Sequence, residues 1–142
     1  LAPQDNIEFV IAGYEQKDGN FAQQIYRVNT KCTEPEMIDT FHSGALWGGE
    51  TDILSRSISD VYLRNEQPDG KENYTLHAGH PILWGFFTLQ DSIDFAEYAI
   101  KTTIDAMKFQ RRVKTVGGPI DVLVIKPTGA QWISRKELHS TI

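Results

Sequence analysis

Several small groups of residues have types and spacing that could do chemistry. His77 and His80 stand three apart, a spacing that lets two imidazoles share a metal when both lie on one helical face. Gly79 and Pro81 deny that helix, and no cysteine or carboxylate cluster adjoins the pair, so a solvated loop is expected. Asp39, His42 and Ser43 have the composition of an acid, base and nucleophile trio. In a strand, neighbours point to opposite faces, so His42 and Ser43 are not expected to meet. Cys32 follows Lys31, whose charge could lower a thiol pKa; an unreactive turn cysteine is the expectation. Gly48 and Gly49 precede a helical pattern as a phosphate loop does, but no Gly-Lys-Ser/Thr run follows them. The cations of residues 108–114 suit the negative end of a helix better than a nucleic-acid patch. Trp47, Trp84 and Trp132 are expected as core or interface anchors.

The elements that must position these groups are bounded by composition. The chain has 142 residues, enough for one domain or half-domain with a real core. It is 40% hydrophobic and 23% charged, an ordinary globular composition and not a disordered one. A net charge of −5 argues against a general nucleic-acid or anionic-membrane binder. No apolar run approaches the ~20 residues that a membrane span requires. A single cysteine precludes an internal disulfide and fits a reducing, cytoplasmic compartment. Asn73-Tyr74-Thr75 matches a glycosylation sequon and is read as a chance triplet. Leu1 in place of Met is expected of a cut or processed start.

Residues 88–135 organise the rest. Thr88 with Asp91 three residues on opens a helix much as a capping box does. Ile93, Ala96, Ile100, Ile104 and Met107 step by three and four to give one apolar stripe, and the helix is expected to fade near Arg111. Gly117-Gly118-Pro119 breaks it. Residues 120–125 are apolar on both faces after Asp121 and predict a strand covered on both faces. Pro127-Thr128-Gly129 turns the chain into a return strand over 130–134.

Upstream, residues 7–13 predict a largely buried strand. Lys17-Asp18-Gly19-Asn20 predicts a tight turn, and residues 24–29 its hairpin partner. A polar corner at 33–36 leads to a third extended stretch at 37–47. Residues 50–65 predict a helix with Ile53, Leu54, Ile58, Val61 and Tyr62 on one face. Residues 65–87 contain a loop at 67–71 and give no clear element. Strands in hairpins followed by helices argue α+β with mainly antiparallel pairing.

In that order the segments resemble the C-terminal half of a proteasome β-type subunit, and so the N-terminal-nucleophile hydrolases. The resemblance rests on residues Phe9 to Tyr14, Gln24 to Val28, Ala45 to Gly49, Thr88 to Ile93, and Val116 to Val122 with Pro127-Thr128-Gly129. It implies an αββα sandwich, of which this chain would supply roughly half. In that family an N-terminal threonine, serine or cysteine is activated by its own amino group, with an aspartate and a lysine assisting. Those groups precede the segment matched by Ile7, and Leu1 has no nucleophilic side chain. The family's supporting serine falls on Gly48, and its aspartate and serine before the glycine pair fall on Val113 and Val116. The resemblance therefore carries no catalytic, cofactor-binding or metal residue onto this chain. Two roles follow as expectations. One is a hydrolase-fold protein without its nucleophile half, inactive alone but part of a peptide amidohydrolase when whole. The other is a non-catalytic structural or assembly subunit. Either implies a complementary N-terminal fragment or further copies of this chain as partners, with no nucleic acid and no membrane. An unrelated α+β binding module is a third reading.

Overall fold

A computed structural model of the chain describes residues 7–32, 34–66 and 69–137. Expectations at Leu1, Thr33, Gln67 and Pro68 lie outside the described residues. The architecture is mixed α+β, with small antiparallel sheets and two α-helices. The chain divides into two compact units, one built from the described part of Leu1–Ser43 with Asp121–Glu137, the other from Gly44–Ile120.

The first unit begins with a long hairpin, β1 (Glu8–Lys17) and β2 (Asn20–Asn29). Their register runs from Glu8 opposite Asn29 to Lys17 opposite Asn20. The two-residue connection has positive φ at both Asp18 and Gly19, the backbone that matches the twist of a hairpin. β3 is only Glu36–Met37 and lies against Tyr26 and Arg27. The stretch expected to stay extended to Trp47 leaves the sheet after Met37, tied back by Ile38 N–H to Ile25 O and by Thr40 Oγ1 to Gln23 O. Arg27 reaches Glu36 on β3 at 3.3 Å and Glu8 on β1 at 3.7 Å, which links the three strands.

β6 (Val122–Lys126) and β7 (Gly129–Ser134) form a second hairpin in this unit. Asp121 closes its base by accepting from Lys136 N–H at 2.7 Å. That donor, aided by the Lys136 ammonium, holds the Asp121 carboxyl below its ordinary range. The expectation of a strand covered on both faces is corrected here. Val122 and Val124 are buried, whereas Leu123 and Ile125 are exposed. A two-stranded hairpin has two faces, and apolar composition does not bring a cover to both. The same correction applies to β1, where Phe9, Val10 and Ile11 are all exposed instead of buried.

The second unit holds α1 (Asp52–Ile58), β4 (Val61–Glu66), β5 (Glu72–His77), a 3-10 turn Trp84–Phe86 and α2 (Leu89–Phe109). The helix expected over 50–65 stops at Ile58, and Val61 begins a strand paired with His77. Ser55, Ser57 and Ser59 are poor helix formers that compete for the backbone; Ser57 Oγ does so by donating to Ile53 O at 2.9 Å. Beyond them Val61 and Tyr62 favour a strand. The segment 65–87, given no clear element, supplies its partner β5. Gly79 N–H donates to Asp60 Oδ1 at 2.9 Å, and a Cβ at Gly79 would lie 3.3 Å from Ile58 O. A glycine therefore lets the chain after β5 lie close against the end of α1.

α2 starts where the sequence places it. Asp91 N–H donates to Thr88 Oγ1 at 3.1 Å and Thr88 N–H donates to Asp91 Oδ2 at 2.7 Å, a complete capping box. The helix ends at Phe109. Its buried positions are Thr103 and Met107, while Ala96 and Ile100 of the expected stripe are exposed. Thr103 is satisfied inside the helix by donating to Ala99 O. Among the described residues the buried apolar side chains are Leu54, Met107, Val122 and Val124. So thin a core makes the exposed apolar residues the informative feature of this chain.

Candidate functional site

The groups with chemical potential are placed as follows. His77 ends β5 and His80 lies three residues beyond; both are exposed. Among the described residues no three His, Cys, Asp or Glu side chains gather as metal ligands. Cys32 is exposed in the turn after β2, where its N–H donates to Asn29 O at 3.0 Å.

Asp39, His42 and Ser43 lie outside any strand, so the alternation expected to separate them does not apply. Asp39 Oδ1 accepts from Phe41 N–H at 2.8 Å, and its Oδ2 stands 3.4 Å from His42 Nδ1. The Phe41 N–H first, and His42 second, hold the Asp39 carboxyl below its ordinary range. The pair is open to water, with side chains 70% and 79% exposed. Solvent screens such a pair, so it lacks the desolvation that sharpens acid–base groups in an enclosed site.

The cations after α2 have a structural use that their spacing did not reveal. Arg112 Nη1 lies 3.2 Å from Asp52 Oδ2 and 3.4 Å from Glu50 Oε2. Thr115 Oγ1 donates to Glu50 Oε1 at 2.7 Å. The loop after α2 is thereby tied to the start of α1 within the second unit. Lys108 instead pairs with Asp105 one turn back on α2. Val113 is exposed and Val116 half-buried, and neither side chain can donate, accept or ionise.

Two surfaces stand out among the described residues. In the first unit, β1 lies at the edge of its sheet. It carries Phe9 at 55% and Ile11 at 59% exposure, an apolar strand with one row of backbone groups facing away from β2. In the second unit a cavity of about 410 Å³ lies against α2. Trp84 meets Phe95 edge-on with centroids 4.9 Å apart, and Phe87 sits 5.2 Å from Trp84. Ser92, Ala96 and Ala99 supply the small side chains beside them, and buried Leu54 lines it from α1. The exposed positions Ala96 and Ile100, two of the five in the predicted apolar stripe, line this cavity. Spacing located the stripe, but it held no signal for the concavity, because Trp84 and Phe87 come from a segment with no clear element.

Among the described residues no helix is long and apolar enough to cross a membrane. No family model, curated protein or solved structure matches this chain.

Proposed function

We propose that this chain is a structural, associating part of a proteasome-like N-terminal-nucleophile-fold protein, and that it does not cleave peptides by itself. The observation that carries the reading is the exposed apolar edge strand β1, above all Phe9 and Ile11. A long apolar edge is poorly tolerated in a soluble monomer and is covered by pairing. The order of elements supports the family: the β1–β2 hairpin, the Gly48-Gly49 turn before α1, the capped α2, and the β6–β7 hairpin after Gly117-Gly118 all fall on the segments that carry the resemblance. In this reading the chain supplies roughly half of an αββα sandwich. Strands from a complementary N-terminal fragment, or from another copy, complete it. The protein acts in the cytoplasm. With Gly48, Val113 and Val116 at the family's supporting polar positions, the role is scaffold and not nucleophile.

Light scattering on the purified chain tests the reading. The expected result at micromolar concentration is a mass above 16.1 kDa, or conversion to a defined complex when an N-terminal fragment is added. A monodisperse 16.1 kDa species with cooperative unfolding and no response to the fragment overturns it. Stoichiometric labelling by an N-terminal-threonine-directed electrophile, seen by intact mass spectrometry, overturns the non-catalytic part alone.

A further inference from the structure

We infer that the cavity against α2 is a binding site for a small, neutral aromatic molecule of one or two fused rings. Three features on the second unit select that chemistry. The first is shape. Ser92, Ala96 and Ala99 follow one another at helical spacing on α2, so they share a face and leave a shallow floor. Trp84, Phe87 and Phe95 stand at its side. A volume of about 410 Å³ lies within the range of small-molecule sites.

The second feature is charge. None of the side chains lining the cavity ionises. A carboxylate or ammonium placed there loses water and gains no partner. In the same unit Arg112, Asp52 and Glu50 are engaged with one another. The lining therefore rejects charged ligands and accepts neutral ones.

The third feature is the arrangement of the rings. Trp84 and Phe95 meet edge to face at 87°, and Phe87 is tilted 55° from Trp84. Rings at such angles have the tilted, edge-to-face geometry that aromatic groups prefer, and an added ring can join it. Leu46, Leu54 and Ile100 complete the apolar lining, and the rings of Trp47, Trp84, Phe87 and Phe95 among them favour a flat ligand. The inference stands apart from the association of β1, which belongs to the other unit.

Indole is the probe. It is added to the ¹⁵N-labelled full chain while the three tryptophan indole N–H signals are followed by NMR. The expected result is a saturable shift of Trp84 and Trp47, which line the cavity, with Trp132 of β7 unmoved. Indole-3-acetate, which adds a carboxylate, is expected to bind about tenfold more weakly. Ala96→Leu fills the cavity from an exposed helical position that favours leucine, so the fold is retained and indole binding falls by about tenfold or more. Ala99→Leu is the second variant, from the half-buried side, with far-UV circular dichroism as the check on both. The inference is overturned by the absence of a saturable shift, by an equal shift of Trp132, or by unchanged binding in a folded Ala96→Leu chain. A shift that disappears as the chain concentration is raised gives the cavity to a second copy and also overturns it.

Discussion

Met107 and Phe109 lie two residues apart in the last turn of α2, and they should respond to truncation in opposite ways. Met107 is 1% exposed and Phe109 is 90% exposed. Composition ranks them similarly, since both are large and apolar. Burial separates them. Met107→Ala removes a side chain from a site that water does not reach, so the chain loses the transfer free energy of the deleted atoms and gains a cavity. The cost is about 3 kcal/mol, within the range for buried Met to Ala. Phe109→Ala removes a ring that water already surrounds, and the change is within about 0.5 kcal/mol. Urea unfolding followed by helical circular dichroism measures both. The Met107→Ala midpoint should fall well below that of the parent with an unchanged slope, and the Phe109→Ala midpoint should stay near it. Only four buried apolar side chains are found among the described residues, so a loss of this size is expected to leave a substantial unfolded population even without denaturant. If Phe109→Ala costs as much as Met107→Ala, the helix end is buried in solution and Phe109 is not an open surface residue. If Met107→Ala costs under about 1 kcal/mol, its surroundings collapse freely and the site is not a packed core.

Thr88→Ala should lower stability by about 1 kcal/mol, because the first turn of α2 loses its N-cap acceptor; hydrogen exchange at residues 89–92 should rise with it. The Thr88 hydroxyl first, and its N–H second, hold the Asp91 carboxyl below its ordinary range. A depressed folded value means that the carboxylate's contribution is full above the unfolded value near 3.8 and is lost as pH falls through the folded one. Acid unfolding profiles should therefore show a smaller loss below that value in Thr88→Ala than in the parent, and parallel profiles would refute the cap linkage. Arg112→Met should destabilise the second unit by on the order of 1 kcal/mol, with the gap narrowing in high salt because Glu50, Asp52 and Arg112 are all partly exposed. A gap unchanged by salt in denaturant titrations would point to packing of the arginine stem instead. Gly19→Ala should weaken the β1–β2 hairpin by about 1 kcal/mol, since Gly19 holds φ at +80°; earlier melting of the strand signal is the readout, and an unchanged melt would show that the turn relaxes without cost.

What the sequence determined by itself is local. Asp18-Gly19 dictates the β1–β2 turn because few residue pairs accept two positive φ values in succession. Thr88 and Asp91 dictate the start of α2 because one hydroxyl and one carboxylate three residues apart satisfy the free N–H groups of the first turn. Pro127-Thr128-Gly129 likewise sets the β6–β7 return. Each of these is decided within a few residues, so the amino acids present suffice. The hairpin of β4 and β5 was hidden for a related reason. Val61 and Tyr62 continue the helical period of Ile58 as well as they fit the strand they join, and its partner lies beyond a loop. The Asp69-Gly70 pair before Tyr74, Thr75 and Leu76 was the available signal, since Gly70 takes φ +78°.

Only the tertiary structure decided what is covered. The sequence of β6 is apolar on both faces, yet Val122 and Val124 are buried while Leu123 and Ile125 meet solvent. Nothing in those residues distinguishes the two faces; the difference lies in what packs against them. The same holds for β1, for the cavity between Trp84 and Ala96, and for Arg112, whose partners Glu50 and Asp52 lie some sixty residues away in the chain. Secondary structure follows from short-range sterics and hydrogen bonding, which a local sequence encodes. Burial, cavities and long-range ion pairs depend on which distant surfaces meet, and that is a property of the folded chain.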